Sequence, residues 1–158
     1  MALLTAIALI IFIVEAQIPA PVPIPGIKLG LANIITVYAM FRLGPKDTAA
    51  ILLCRILLGS VFSGHMTTLF YSLGGGLLCY LSMLALRKLL TEKQLWVCGA
   101  IAAVCHNIGQ LAVAVLIFRT AELIVYLPVL CLSGIVTGVF TGLCAQFLLA
   151  RLKRGGQS

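Results

Sequence analysis

The sequence predicts an all-α fold: a polytopic membrane protein whose six helices form one transmembrane bundle. Hydrophobic residues make up 62% of the chain, charged residues make up only 9%, and the mean hydropathy is +1.18. Soluble domains carry about 25% charged residues, so this composition excludes a water-soluble fold. In addition, six long apolar runs follow one another, with the charges concentrated in the breaks between them. Such runs match the roughly 20 residues that cross the ~30 Å hydrocarbon layer.

The six predicted spans form a single domain, with loops too short for a second one. The spans are residues 1–18, 27–43, 48–64, 67–86, 95–118 and 128–150. Basic residues are concentrated in the second break, the fourth break and the tail: Arg42, Lys46, Arg87, Lys88, Lys93, Arg151, Lys153 and Arg154. The basic residues of the other breaks are only Lys28, His65 and Arg119. Because short loops rich in Lys and Arg stay inside, both termini are predicted in the cytoplasm of a bacterial cell.

The net charge of +7 would suggest nucleic acid as a partner for a soluble chain. Here the basic residues lie at span ends, where they set the topology and meet anionic lipid headgroups. The predicted partner is therefore membrane lipid, and nucleic acid binding has no support. Residues 1–18 lack the basic leader of a cleavable signal and are followed by prolines, so we expect this segment to be a retained helix.

Local signals mark the limits of several helices. Asp47 is predicted to cap the third span, and Thr91 with Gln94 has the spacing of a capping box before the fifth. Pro128 suits the first turn of the sixth span. The stretch 121–127 before it is expected to be a short external or interfacial segment.

The cysteines give no sign of a metal centre or a disulfide. All six lie singly inside apolar runs, without a C-x-x-C pair or a histidine at ligand spacing. They are predicted to be free, buried and apolar in behaviour: Cys54, Cys79, Cys98, Cys105, Cys131 and Cys144. We expect neither a metal nor a cofactor.

Two sets of glycines indicate close helix packing. Gly134, Gly138 and Gly142 recur every four residues in the last span, which makes one face smooth enough for a neighbouring backbone. We expect packing within the chain, with a dimer interface as the alternative. The run 74–76 in the fourth span either admits close packing or leaves backbone groups open to a ligand.

A proline-rich segment, residues 19–26, separates the first two spans. Its four prolines stand at alternate positions, which forbids a helix and favours a stiff extended conformation. We expect an external lid over a central cavity, and the alternative is a simple connection between two helices.

Polar residues inside the spans predict a binding pocket in the outer half of the bundle. Arg55 lies midway along the third span, where an arginine costs roughly 2.5 to 3.5 kcal/mol and needs an interior partner. The predicted substrate-binding residues are Glu15, Lys28, Asn33, Arg55, His106, Asn107 and Gln110. Their positive balance favours an anionic or amphiphilic small molecule. Alternatively, these groups bridge helices among themselves, for example Arg55 with Glu15.

The run IPGIKLGLANIITVYAMFRLGPKDTAAILLCRILLGSVFSG, residues 24–64, resembles the Gx transporter family, whose members are often labelled heptaprenyl diphosphate synthase component I. That family is in turn similar to the substrate-binding S-components of energy-coupling factor transporters. The resemblance implies binding from outside and docking on a transmembrane coupling protein driven by cytoplasmic ATPases. Ala2 and Ala6 are the nearest match to the alanine-spaced partner motif, and Lys28, Asn33 and Arg55 are carried into the pocket.

Two functions follow as hypotheses. The leading one is the substrate-binding component of an uptake transporter for a vitamin-like, isoprenoid- or quinone-related compound. The alternative is a non-catalytic membrane subunit associated with heptaprenyl diphosphate synthesis. We expect no enzyme activity from the chain alone, since prenyl transfer needs clustered aspartates around magnesium and Asp47 is the only aspartate. No phosphate-binding G-x-x-x-x-G-K-[ST] loop is present either. A purely structural role would predict tolerance of Lys28 and Arg55 substitutions.

Overall fold

The described part of the chain is built of helices joined by short turns, in a computed structural model that describes residues 1–18, 28, 30–64 and 66–155. The helices are α1 (Ala2–Glu15), α2 (Asn33–Arg42), α3 (Pro45–Ser63), α4 (Met66–Leu86), α5 (Leu95–Phe118) and α6 (Leu127–Gly155). Two short 3₁₀ helices, Glu92–Gln94 and Ala121–Tyr126, precede α5 and α6. The all-α prediction with six helices is confirmed for these residues. The predicted proline-rich lid, 19–26, and His65 lie outside them.

Three helical stretches are long and apolar enough to cross a membrane: Met66–Leu86, Glu92–Phe118 and Ala121–Leu152. The other three helices are either too short or too polar to meet the same measure of length and hydropathy. Helices α1 and α2 have only 14 and 10 residues. Helix α3 has 19 residues but includes Lys46, Asp47 and Arg55, which lower its hydropathy. By length and composition, three helices among the described residues could therefore each cross a membrane.

Helix α2 begins later than the predicted span 27–43. Gly30 has φ +85°, a left-handed conformation that favours glycine, and residues 31–32 form a turn before the helix. The helix that follows is about 15 Å long, half the thickness of the hydrocarbon layer. Most of its residues are buried: Asn33, Ile35, Thr36, Val37, Tyr38, Ala39 and Met40. Helix α2 is therefore a short central helix.

The prediction that Asp47 caps α3 is wrong. The N-cap is Gly44, at φ +105°, and Pro45 occupies the first turn, where its missing N–H costs nothing. Thr48 donates its hydroxyl to the carbonyl of Gly44 at 2.8 Å. Asp47 lies in the first turn, where its carboxylate still interacts favourably with the helix dipole.

The other two predicted helix starts are confirmed. The N–H of Thr91 donates to Oε1 of Gln94 at 3.2 Å, in a capping box that opens the 3₁₀ turn before α5. Pro128 is the second residue of α6, within its first turn. The predicted segment 121–127 corresponds to the 3₁₀ helix Ala121–Tyr126, which leads directly into α6.

Helices α5 and α6 pack backbone against backbone. A Cβ added to Gly138 would lie 2.5 Å from the carbonyl oxygen of Gly99, and one added to Gly142 would lie 2.5 Å from that of Leu95. No side chain fits in this space. The predicted role of the glycine stripe, packing within the chain, is confirmed.

Helix α5 packs as closely against α4. A Cβ on Gly75 would lie 2.9 Å from the His106 ring and from Cγ of Gln110, and one on Gly109 would lie 2.9 Å from Cα of Gly75. On another side of α4, a Cβ on Gly76 would lie 2.9 Å from Cδ1 of Ile56 in α3. Of the two roles considered for the run 74–76, the structure shows close packing.

The basic breaks meet at one end of the bundle. One core cluster joins Met40 of α2 and Met83 of α4 to Leu95 at the start of α5 and Leu149 near the end of α6. At this end, which we call the basic end, six cations are exposed: Arg42, Lys46, Arg87, Lys88, Lys93 and Arg151. The charge asymmetry read from the sequence is therefore a property of the fold.

Substituting Gly138 by Leu should separate α5 from α6 and lower the free energy of unfolding by about 1 to 3 kcal/mol, the usual cost of overpacking. The measurement is unfolding of the purified chain in detergent micelles. Val136 is 64% exposed on the same helix, so Val136→Leu is a matched control that should leave stability unchanged. Equal stability of the two variants would contradict the packing described here.

Candidate functional site

Six of the seven predicted site residues line one cavity in the half of the bundle away from the basic end. They come from α1, the segment before α2, and α2, α3 and α5: Glu15, Lys28, Asn33, Arg55, His106 and Gln110. Apart from Lys28, which is half-buried, all are at most 4% exposed. The sequence therefore identified most of a real cluster of polar side chains, which we call the polar cluster.

Glu15 ends α1 and holds the turn that starts α2. One carboxylate oxygen accepts a hydrogen bond from the N–H of Gly30, and the other accepts one from the N–H of Ala32 at 3.3 Å. These N–H groups precede the first turn of α2, where the helix dipole favours a negative charge. Glu15 thus ties two helices together through backbone donors, which the sequence pattern did not indicate.

Lys28 places its ammonium over the ring of Phe12, with Nζ 3.2 Å from the ring centroid. The backbone N–H of Lys28 donates a weak hydrogen bond to Oε1 of Gln110, at 3.4 Å. The ring is held in turn by Gly59 of α3, since a Cβ there would lie 2.5 Å from Cε1 of Phe12. A cation–π contact contributes about 0.5 to 2 kcal/mol, less than the several kcal/mol that burying a cation costs.

Arg55 is 3% exposed and faces the interior of the bundle, as its mid-helix position predicts. Its Nε has no hydrogen-bond partner in the described part of the chain. The Glu15 carboxylate and the Lys28 ammonium interact with it electrostatically, but neither Glu15 nor any other described carboxylate forms an ion pair with it. The direct Arg55–Glu15 bridge that we considered is therefore not formed.

Two neutral side chains complete the polar cluster with unpaired atoms. Within the described residues, Asn33 has no partner for Nδ2 or Oδ1, and His106 has none for Nδ1. Gly30 brings these two side chains together, because a Cβ there would lie 2.9 Å from Asn33 Nδ2 and 3.5 Å from the His106 ring. The cavity therefore contains several polar atoms without a protein partner.

Asn107, the seventh predicted residue, does not line this cavity. Its Nδ2 donates to the carbonyl of Leu130 in α6 at 2.7 Å. Consecutive residues of a helix point about 100° apart, so Asn107 faces α6 whereas His106 faces the cavity. Its observed role is to tie α5 to α6.

The sequence reading missed Phe12 and Ser72, which also line the cavity. Phe12 stands three residues before Glu15, a spacing that puts both on one face of α1 and would have signalled it. No pattern in the sequence marks Ser72 of α4 as a site residue, and only the packing of the helices places it at the cavity.

The cavity is small. Its volume, about 10 Å³ for the centre of a water molecule, holds roughly one water. Larger spaces are apolar grooves elsewhere: one of about 370 Å³ between α3 and α4, and one of about 440 Å³ between α1 and α3. Ala2 and Ala6, the predicted partner-binding residues, line the second groove.

The cysteines form neither a disulfide nor a metal site among the described residues. All six cysteines are free. Cys79 and Cys98 are buried, but Cys105, Cys131 and Cys144 are only half-buried, so the prediction that each is buried is wrong for these three and for Cys54, which is exposed. It faces the groove beside α1, where a small side chain leaves space. Among the described residues, no group of three or more His, Cys, Asp or Glu side chains could hold a metal ion.

Replacing Glu15 by Ala should leave the N–H groups of Gly30 and Ala32 unpaired, each at a cost of about 1 to 3 kcal/mol. Glu15→Gln keeps one acceptor oxygen and should therefore lower the free energy of unfolding by less than Glu15→Ala. The measurements are the free energy of unfolding and hydrogen exchange at Gly30 and Ala32, which should accelerate. Glu122→Ala removes an exposed acid and serves as the control; if Glu15→Ala behaves like it, the capping role fails.

Comparisons with known proteins agree with the family resemblance of residues 24–64. The family model described as heptaprenyl diphosphate synthase component I matches residues 4–148, nearly the whole chain. No curated protein and no solved structure matches this chain. The match extends from α1 to α6 and includes every residue of the polar cluster. The chain therefore belongs to the heptaprenyl diphosphate synthase component I family.

Proposed function

We propose that the chain is a non-catalytic, membrane-embedded subunit of a prenyl diphosphate synthase whose catalytic subunit is a separate protein. The observation that carries this proposal is the family match over residues 4–148, since the family is described as one component of such a synthase. A component by definition has at least one other. The alternative function derived from the sequence thereby becomes the favoured one.

The acidic residues of the chain support a role without catalysis. Prenyl transfer requires magnesium held by clustered carboxylates against the diphosphate of the substrate. The chain has four acidic residues, and its one aspartate, Asp47, lies next to Lys46 in the first turn of α3. Glu15 is engaged by two backbone N–H groups. The catalytic carboxylates are therefore assigned to the partner.

The surface supports a location in the membrane. Every helix except α2 exposes large apolar side chains, among them Leu3 of α1, Val61 of α3, Leu77 of α4, Leu116 of α5 and Val136 of α6, all more than half exposed. Soluble monomers do not display apolar surface on this scale. With three helices long enough to span, lipid is the medium that such a surface fits.

The basic end supplies the surface for the catalytic subunit in this proposal. Its exposed cations would face the cytoplasm by the positive-inside rule, on the side where a soluble synthase subunit is found. A cationic surface of this kind favours a partner with an acidic face and speeds its association. The subunit would bring the enzyme to the membrane, where long prenyl products dissolve.

The uptake transporter has less support. A vitamin-like or amphiphilic ligand does not fit a cavity for one water molecule, and the family description names a synthase component. The transmembrane coupling protein and the cytoplasmic ATPases stay predictions, as does docking through Ala2 and Ala6.

A soluble subunit with aspartate-rich motifs, expressed from the same organism, should copurify with the detergent-solubilised chain and make longer prenyl products in its presence. The double substitution Arg87→Gln with Lys88→Gln should weaken this association, most strongly at low salt. Arg119→Asn removes a cation outside the basic end and is the control. A synthase that binds nothing and is unchanged by the chain would overturn the proposal.

The orientation can be tested separately. Reporters that are active only in the cytoplasm should work when fused after Lys88 but not when inserted after Arg119. Reporters that need export should show the opposite pattern. Cytoplasmic activity at both positions would mean that α5, which joins them, does not cross the membrane.

A further inference from the structure

The polar cluster has more positive than negative charge around one small cavity. Lys28 and Arg55 each contribute a positive charge, and Glu15 contributes the one negative charge. A formal charge of +1 is left without a counter-charge. Isolated buried charges are strongly unfavourable, so buried ions are paired, hydrogen-bonded or bound to an ion of opposite sign.

No other side chain of the protein can supply the missing negative charge. The chain has four acidic residues in all, and those other than Glu15 are Asp47, Glu92 and Glu122. Asp47 and Glu92 lie in the first turns at the basic end, and Glu122 is exposed before α6. Residues 19–27 and 29, outside the described part, include no acid in their sequence. No acidic side chain besides Glu15 therefore reaches the cluster, so any further counter-charge comes from outside the chain.

The donors around the cavity are also unsatisfied. Nζ of Lys28, Nε of Arg55 and Nδ2 of Asn33 are buried without a hydrogen-bond partner in the described structure. Arg55 and Asn33 are 3% and 2% exposed, so bulk water does not replace these partners. Several donors from separate segments of the chain thus face one small space.

We infer that the polar cluster binds a single monatomic anion, of the halide class, between Lys28 and Arg55. The volume decides the class, because a cavity that holds about one water molecule accepts an ion of chloride size but not a phosphate or diphosphate group. The bound anion neutralises the excess positive charge and accepts hydrogen bonds from the free donors. A water molecule could accept hydrogen bonds from the donors, but it would leave the excess positive charge of the cluster without a counter-charge.

The site lies where the chain needs support. Lys28 precedes the turn capped by Glu15, and Arg55 lies midway along α3, so an anion between them would join the start of α2 to α3. Without the anion, Lys28 and Arg55 repel each other. Anion binding is therefore expected to stabilise this half of the bundle.

The test is thermal unfolding of the full-length chain in detergent at constant ionic strength, with sodium chloride replacing sodium gluconate. Chloride should raise Tm in a saturable way, by about 5 to 10 °C at one hundred times the dissociation constant. Bromide should act similarly and give one anomalous scattering peak beside Lys28 Nζ. Equal Tm in chloride and gluconate would overturn the inference, and so would stabilisation by inorganic phosphate but not by chloride.

Three variants locate the effect. Lys28→Gln and Arg55→Gln should each lose the rise in Tm with chloride, whereas Arg42→Gln, which removes an exposed cation at the basic end, should keep it. If Arg55→Gln does not fold, Lys28→Gln still tests the site, because Lys28 lies outside the helices and its substitution should leave the fold intact. Retention of the full rise in Lys28→Gln would rule out this site. These measurements need no partner, so their outcome is independent of the proposed synthase role.

Discussion

The hydrogen bonds accepted by the Glu15 carboxylate are the interaction on which the polar cluster and its half of the bundle depend. It receives the N–H groups of Gly30 and Ala32, so the end of α1 fixes the place where α2 begins. Hydrogen bonds to a charged group contribute about 1.5 to 3 kcal/mol each. Phe12, one turn earlier, then lies between Gly59 of α3 and the ammonium of Lys28. One face of a 14-residue helix thereby positions the cap, the aromatic ring and the cation.

Close backbone approach holds α4, α5 and α6 together. Helix α5 meets α6 through Gly99, Gly138 and Gly142, and meets α4 through Gly75 and Gly109. Each glycine within a helix costs about 1 kcal/mol of helix propensity. In lipid, the medium proposed for this chain, there is no hydrophobic driving force between helices, so van der Waals attraction between the closely packed backbones would offset that cost. The glycines of α4, α5 and α6 are therefore best understood as packing residues.

The chain uses positive charge in two different ways. At the basic end the cations are exposed and solvated, and they cost little there. Lys28 and Arg55 lie in the interior, where each cation costs several kcal/mol unless a partner compensates it. The first arrangement fits orientation and a soluble partner, as proposed for a synthase subunit. The second fits a small bound anion that completes the fold, and the two roles occupy different parts of the bundle.

The sequence by itself determined the all-α class, the six helices, the separation of basic and apolar breaks, and most members of the polar cluster. Periodicity and composition suffice for these, since each depends on residue type and spacing along one segment. The start of α2, the Asn107 bond to α6 and the size of the cavity required the tertiary structure. Each depends on distances between segments far apart in the chain: Glu15 reaches Gly30 and Ala32, and a rotation of about 100° separates Asn107 from His106. Spacing along the chain determines which face a residue occupies, but only helix packing decides what that face meets and how much room is left.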